Sequence, residues 1–275
     1  MEATASISTP RWLAWGVIIA AITVIALWLL GTPAGVEGKA DAVGYAICHR
    51  IPDRSFTTYD SRQLPLCARC TGIYTGVMTG FLLINLTGYG RASRLPSWRM
   101  GLVFVGFLAF FGIDGLNSYF HLFPNFEGGL YEPNNTLRLI SGALIGLTMI
   151  HLLLPLFNMT VWRYLDERRA LPNFRMLGVQ LVTLALVVAA MLTGNPFVLL
   201  VTGLLSAFGV LMVLTMVNAV MFMTFIRRDR TYTNWGELWL PLLAGLTVAL
   251  LLVGGIDAAR YMFTGTWDGF IFAQR

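Results

Sequence analysis

Charge is scarce in this chain. Charged residues make up 12% of its 275 residues, against roughly 25% in an ordinary soluble domain. That is too little to cover the surface of a water-soluble protein of this size. Lysine is almost missing: eighteen of the nineteen basic residues are arginine, scattered in short segments beside apolar runs. No basic stripe with interleaved aromatics exists, so the net charge of +5 does not point to nucleic acid. Phosphate-binding glycine loops, H-E-x-x-H and a nucleophile elbow with its partners are also absent, which removes the usual grounds for an NTPase, a zincin or an α/β-hydrolase. Neither inverted repeats nor an arginine-rich helix speaks for a secondary transporter or a voltage sensor. Cysteine and histidine occur only three times each.

What is abundant is apolar sequence, 56% of the residues, gathered in runs that match the roughly 20 residues a helix needs to cross a bilayer. The fold class is all-α: a polytopic membrane helix bundle of about seven transmembrane helices, with the chain 1–275 as a single transmembrane domain in contact with the lipid bilayer. The expected spans are Trp12–Leu30, Gly72–Leu86 (with a start as early as Leu66), Trp98–Phe120, Leu137–Phe157, Phe174–Leu192, Pro196–Ile226 and Glu237–Phe263. Gly194-Asn195-Pro196 makes the fifth and sixth a tight hairpin. The first apolar stretch exceeds the core of a cleaved signal peptide and reads as a retained helix. Eleven of the nineteen basic residues fall on the side that holds the N-terminus. The positive-inside rule therefore puts that terminus in the cytoplasm, with Trp12, Trp15, Trp98, Trp162, Trp235 and Trp239 as an aromatic belt on the same side.

The longest connection, 31–71, lies on the extracytoplasmic side and holds all three cysteines within 23 residues. Cys67 and Cys70 form a C-x-x-C, whose tight spacing brings two sulfurs to one side. Cys48 with His49, or with the more distant His121, would complete a Cys3His metal site, zinc being the expected ion. The same thiols suit a redox dithiol with a resolving third cysteine, or a simple disulfide. Thr71 follows the second cysteine where covalent haem attachment needs histidine.

Cys48-His49-Arg50, with Pro52, Arg54, Ser55 and Phe56, followed by Leu64-Pro65-Leu66-Cys67-Ala68-Arg69-Cys70-Thr71-Gly72-Ile73-Tyr74, resembles the hallmark of a family of prokaryotic polytopic membrane proteins classed as a domain of unknown function. The resemblance implies a multi-pass protein of the prokaryotic plasma membrane and a role for the three cysteines. It supplies no reaction.

Ionisable residues inside spans are costly unless paired or wet. Asp114, Asn117 and His121 share one face of the third span, Asn135 and Arg138 open the fourth, and Asp257 and Arg260 close the seventh. By the alternation of spans all of them face the cysteine side, where they either serve a site or pair to pin helices together. His151, mid-span, suits an interhelical hydrogen bond, with haem or chlorin ligation as the alternative. Gly72, Gly76 and Gly80, with Gly142 and Gly146, have the spacing of close helix packing. Three readings follow: a membrane protein with a Cys/His metal site, a membrane thiol–disulfide oxidoreductase, and a non-catalytic subunit of a larger respiratory or photosynthetic complex.

Overall fold

In the computed structural model, residues 10–58, 62–123 and 128–269 are described. Eight α-helices dominate them: α1 Arg11–Gly31, α2 Gly35–Ile47, α3 Ala68–Leu86, α4 Trp98–Phe120, α5 Asn135–Val161, α6 Phe174–Leu192, α7 Pro196–Phe225 and α8 Trp239–Thr264. Seven of them answer to the seven expected spans. Asparagine opens three of these: the side chains of Asn134, Asn173 and Asn195 accept N–H groups of the first turns of α5, α6 and α7, which would otherwise be orphaned.

Six helices are long and apolar enough to cross a membrane, the last counted from Trp235. The exception among the seven is α3. It has 19 residues but carries Arg69 and three threonines, so its apolar content falls short. Burial compensates, because α3 lies inside the bundle against α5, α6 and α7, and its polar residues meet protein rather than lipid. The helix that sequence reading does not anticipate is α2. At 13 residues it is too short to span, and Glu37, Lys39 and Asp41 interrupt its apolar pattern.

Backbone contact between α3 and α5 organises the bundle. A Cβ on Gly76 would stand 2.1 Å from the Ala143 carbonyl oxygen, and one on Gly146 would stand 1.8 Å from that of Ile73. Gly72 and Gly142 meet Leu139 and Arg69 in the same way. Small residues on both helices let the main chains touch, which is how helices associate where lipid offers no hydrophobic drive.

The arginine-rich segments gather at the end of the bundle away from the cysteines. There Ala92–Arg94 (β1) pairs in parallel with Asp166–Arg169 (β2), Arg94 pairs with Glu167, and Arg91 donates to the Thr233 carbonyl at 3.1 Å. Trp162 corrects one expectation. It is fully buried rather than a belt residue, because its indole N–H bonds Asn158 Oδ1 at 2.9 Å and its ring packs edge-on against Trp235 at 4.8 Å. Trp12, Trp15, Trp98, Trp235 and Trp239 are exposed.

Candidate metal centre

Two elements carry the thiols, and a glycine brings them together. Cys48 caps the C-terminus of α2 and Cys67 the N-terminus of α3. Where α2 crosses Pro65, a Cβ on Gly44 would stand 1.8 Å from the Pro65 carbonyl oxygen. Only a glycine permits that approach, and it delivers the end of one helix to the start of the other. Leu66, Val43, Ala207 and Val210 close an apolar wall around the two sulfurs.

The chain then reverses at Arg50, a non-glycine residue with φ of 50°. A left-handed residue of this kind is uncommon and persists only when its surroundings hold it. Here the Arg50 guanidinium donates to Asp41 at 3.0 Å and to the Trp267 carbonyl at 3.3 Å, while its own carbonyl accepts from Gln63 at 2.9 Å. Arg260 of α8 adds a bond to the Cys48 carbonyl at 2.8 Å. The reversal turns the Arg50 N–H onto the Cys48 sulfur at 3.4 Å, and the Cys67 N–H reaches the same sulfur at 3.3 Å.

The outcome is a compact donor set. Cys48 Sγ, a ring nitrogen of His49 and Cys67 Sγ all lie within 4.8 Å of one another. Cys70, in the first turn of α3, lies near enough to influence both other thiols but is not among the three donors that share the 4.8 Å cluster. His49 Nδ1 accepts the Ile51 N–H at 3.0 Å, which puts the proton of the neutral ring on Nε2, so binding a metal through either nitrogen would require that hydrogen bond to give way. Thiol donors from Cys67 and then Cys70 hold the Cys48 pKa well below the ordinary cysteine range. The same hydrogen bond from the other side holds Cys67 above it. A first negative charge is therefore readily accommodated and a second is not, unless a cation enters. Burial, and the charges of Arg54, Arg69 and Arg138, keep His49 from protonating.

Asp114 stands one layer deeper, fully buried. It pairs with Arg69, the residue before Cys70, and accepts from Tyr131 at 3.0 Å and Ser141 at 3.1 Å. Arg69 also bonds Ser118 Oγ at 3.1 Å. Asp114 thus ties α3, α4 and α5 beneath the thiols, with three side-chain donors on its carboxylate. Truncation to Asp114→Ala would leave the Arg69 charge uncompensated, at a cost of about 3–5 kcal/mol. Thermal unfolding of the variant in detergent should show the loss.

Asn135 connects this layer to the segment after Cys48. It donates to the Asp53 carbonyl at 3.2 Å and accepts from Arg138 at 2.8 Å. His121 stands outside the compact set. Its Nδ1 donates to the Asn117 carbonyl at 2.7 Å, and Asn117 holds the following segment through Leu130 and Tyr131. Asp257 faces away, into a cleft between α1 and α8. His151 donates from Nδ1 to the Leu147 carbonyl at 2.8 Å within its own helix and packs against Phe104. No sequence pattern singles out Tyr131, Ser141 or Asp41, whose roles depend on tertiary contact alone.

Residues 48–152, from the first cysteine to the middle of α5, match the family described as "Predicted membrane protein (DUF2085)". An uncharacterized protein of Methanocaldococcus jannaschii is 30% identical over 123 residues, covering 44% of this chain and 70% of that one. Another, from Methanothermobacter thermautotrophicus, is 35% identical over 106 residues, covering 38% and 83% respectively. No solved structure matches.

Proposed function

Since the chain belongs to the DUF2085 family of predicted membrane proteins, we propose that the polar end of its bundle is a structural zinc centre held by Cys48, Cys67, Cys70 and His49. The centre sits on the extracytoplasmic side of a prokaryotic plasma membrane, with the N-terminus in the cytoplasm. The observation that carries this reading is the convergence of two sulfurs and an imidazole nitrogen within 4.8 Å, with the Cys70 thiol close by in the first turn of α3 as the fourth donor.

Thiolates and a neutral imidazole are the ligands zinc prefers, and sulfurs about 3.8 Å apart satisfy a tetrahedron with Zn–S of about 2.3 Å. Two backbone N–H groups on Cys48 Sγ orient that ligand and offset its charge. Four protein ligands leave no open position for water, so the arrangement favours fastening over hydrolysis. The ion would clamp the end of α2 to the start of α3 across the Cys48 reversal.

A second reading, thiol–disulfide exchange, draws support from the proximity of the free Cys48 and Cys67 thiols. The two separate in one experiment. Elemental analysis of the protein purified in detergent should find about one zinc per chain, with the thiols blocked to alkylation until a chelator is added. Metal-free, folded protein with thiols that cycle between free and disulfide forms would transfer the assignment to redox chemistry.

A further inference from the structure

Asp257 lies 2% exposed in α8, and neither of its carboxylate oxygens has a hydrogen-bond partner. An isolated buried carboxylate is expensive, and a spanning helix retains one only with reason. It lines a half-open cleft of about 600 Å³ between α1 and α8. On the α1 side stands Trp28, whose Nε1–H is also buried and unpartnered; its indole ring lies against Gly254, one turn before Asp257. The cleft thus offers one unused acceptor and one unused donor. A single water has a share of about 30 Å³, so this volume has room for a far larger occupant.

Charge is arranged around these two groups. Lys39 Nζ stands 5.6 Å from the centre of the Trp28 ring and bonds Thr32 Oγ1 at 2.8 Å, Thr32 being part of the cleft wall. Arg260, one turn beyond Asp257, directs a guanidinium nitrogen to the Cys48 carbonyl and lies over the Tyr45 ring at 4.0 Å. The cleft therefore has a carboxylate in its wall and an ammonium near the Trp28 ring. Most of the remaining wall is apolar residues of the two membrane-spanning helices, such as Leu27 and Leu251, with Tyr261 and Trp267 at one end, and Gly255 leaves open space in front of its backbone.

We propose that this cleft binds a phospholipid with a primary-amine zwitterionic headgroup. The ammonium donates to Asp257. A phosphate or ester oxygen accepts from Trp28 Nε1 near the Lys39 charge, and the acyl chains run along α1 and α8. The complementarity is specific: a quaternary ammonium has no N–H for Asp257, and a glycerol headgroup has no cation for it.

Native mass spectrometry of the full chain in detergent, titrated with phosphatidylethanolamine, phosphatidylcholine and phosphatidylglycerol, tests this without any variant. Phosphatidylethanolamine should bind about tenfold more tightly than the other two, the worth of one charge-assisted hydrogen bond. Asp257→Asn, checked for unchanged elution and circular dichroism, should lose that preference. Gly255→Leu, which fills the space for a chain, should weaken all three lipids. Equal binding of the three lipids by the native chain would overturn the proposal, as would a preference that survives in Asp257→Asn. Competition by soluble phosphoethanolamine as strong as that of the lipid would overturn the assignment to a lipid. Each readout is independent of metal content.

Discussion

Gly146→Ala should destabilise the protein by at least about 3 kcal/mol, the upper range for an overpacked core. The new Cβ would have to sit 1.8 Å from the Ile73 carbonyl oxygen, and the obstacle is backbone, which no rotamer change can move. To make room α3 and α5 would have to separate along their whole glycine seam, loosening the Arg69–Asp114 pair at its end. Gly112→Ala in α4 is the control, since nothing lies within 4 Å of its Cβ position. Alanine is the better helix former by about 1 kcal/mol, so this second change should be neutral or stabilising. Thermal unfolding of both variants in one detergent distinguishes them. Two shifts of the same sign would show that the seam is looser than described.

Cys67→Ser should have the second large effect. Serine keeps the size of the side chain but removes one of the two sulfurs of the compact donor set. Metal content should fall from about one ion per chain to background. For a structural site, binding free energy is folding free energy, so the midpoint of thermal unfolding should fall by on the order of 10 °C, given about 2–4 °C per kcal/mol for a chain of this size. Stripping the native protein with a chelator should reproduce the shift, and chelating the variant should add nothing, because both remove one interaction. Loading should also weaken as pH falls, since Cys67, with its pKa held above the ordinary range, must surrender its proton to bind a cation.

Much of the bundle was legible because membrane crossing imposes one simple demand, an apolar run of sufficient length. The glycine spacings were equally plain, for close packing needs small residues at fixed intervals, and Gly76 and Gly146 stand where that logic puts them. What escaped was whatever depends on tertiary contact. The α2 helix is short and interrupted by charge, and it is held by the fit of Gly44 on Pro65 rather than by its own periodicity. Trp162 looked like an interface residue until Asn158 and Trp235 closed over it.

In the site, sequence proximity and spacing placed the three cysteines and His49 in one group. They did not reveal that two backbone N–H groups are aimed at Cys48, nor that Asp114 is held by Arg69, Tyr131 and Ser141. Neither fact can be read from residue identity. The matched family region begins at Cys48 and ends at residue 152. The proposed centre and the α3–α5 seam both fall within it, and the Asp257 cleft is assembled outside it.

X-ray absorption at the zinc edge, on protein purified in detergent without added metal, tests the central claim most directly. The account predicts a four-coordinate ion with about three sulfurs at about 2.3 Å and one nitrogen at about 2.0 Å. A first shell of oxygen and nitrogen alone, or folded protein with no zinc to measure, would contradict it.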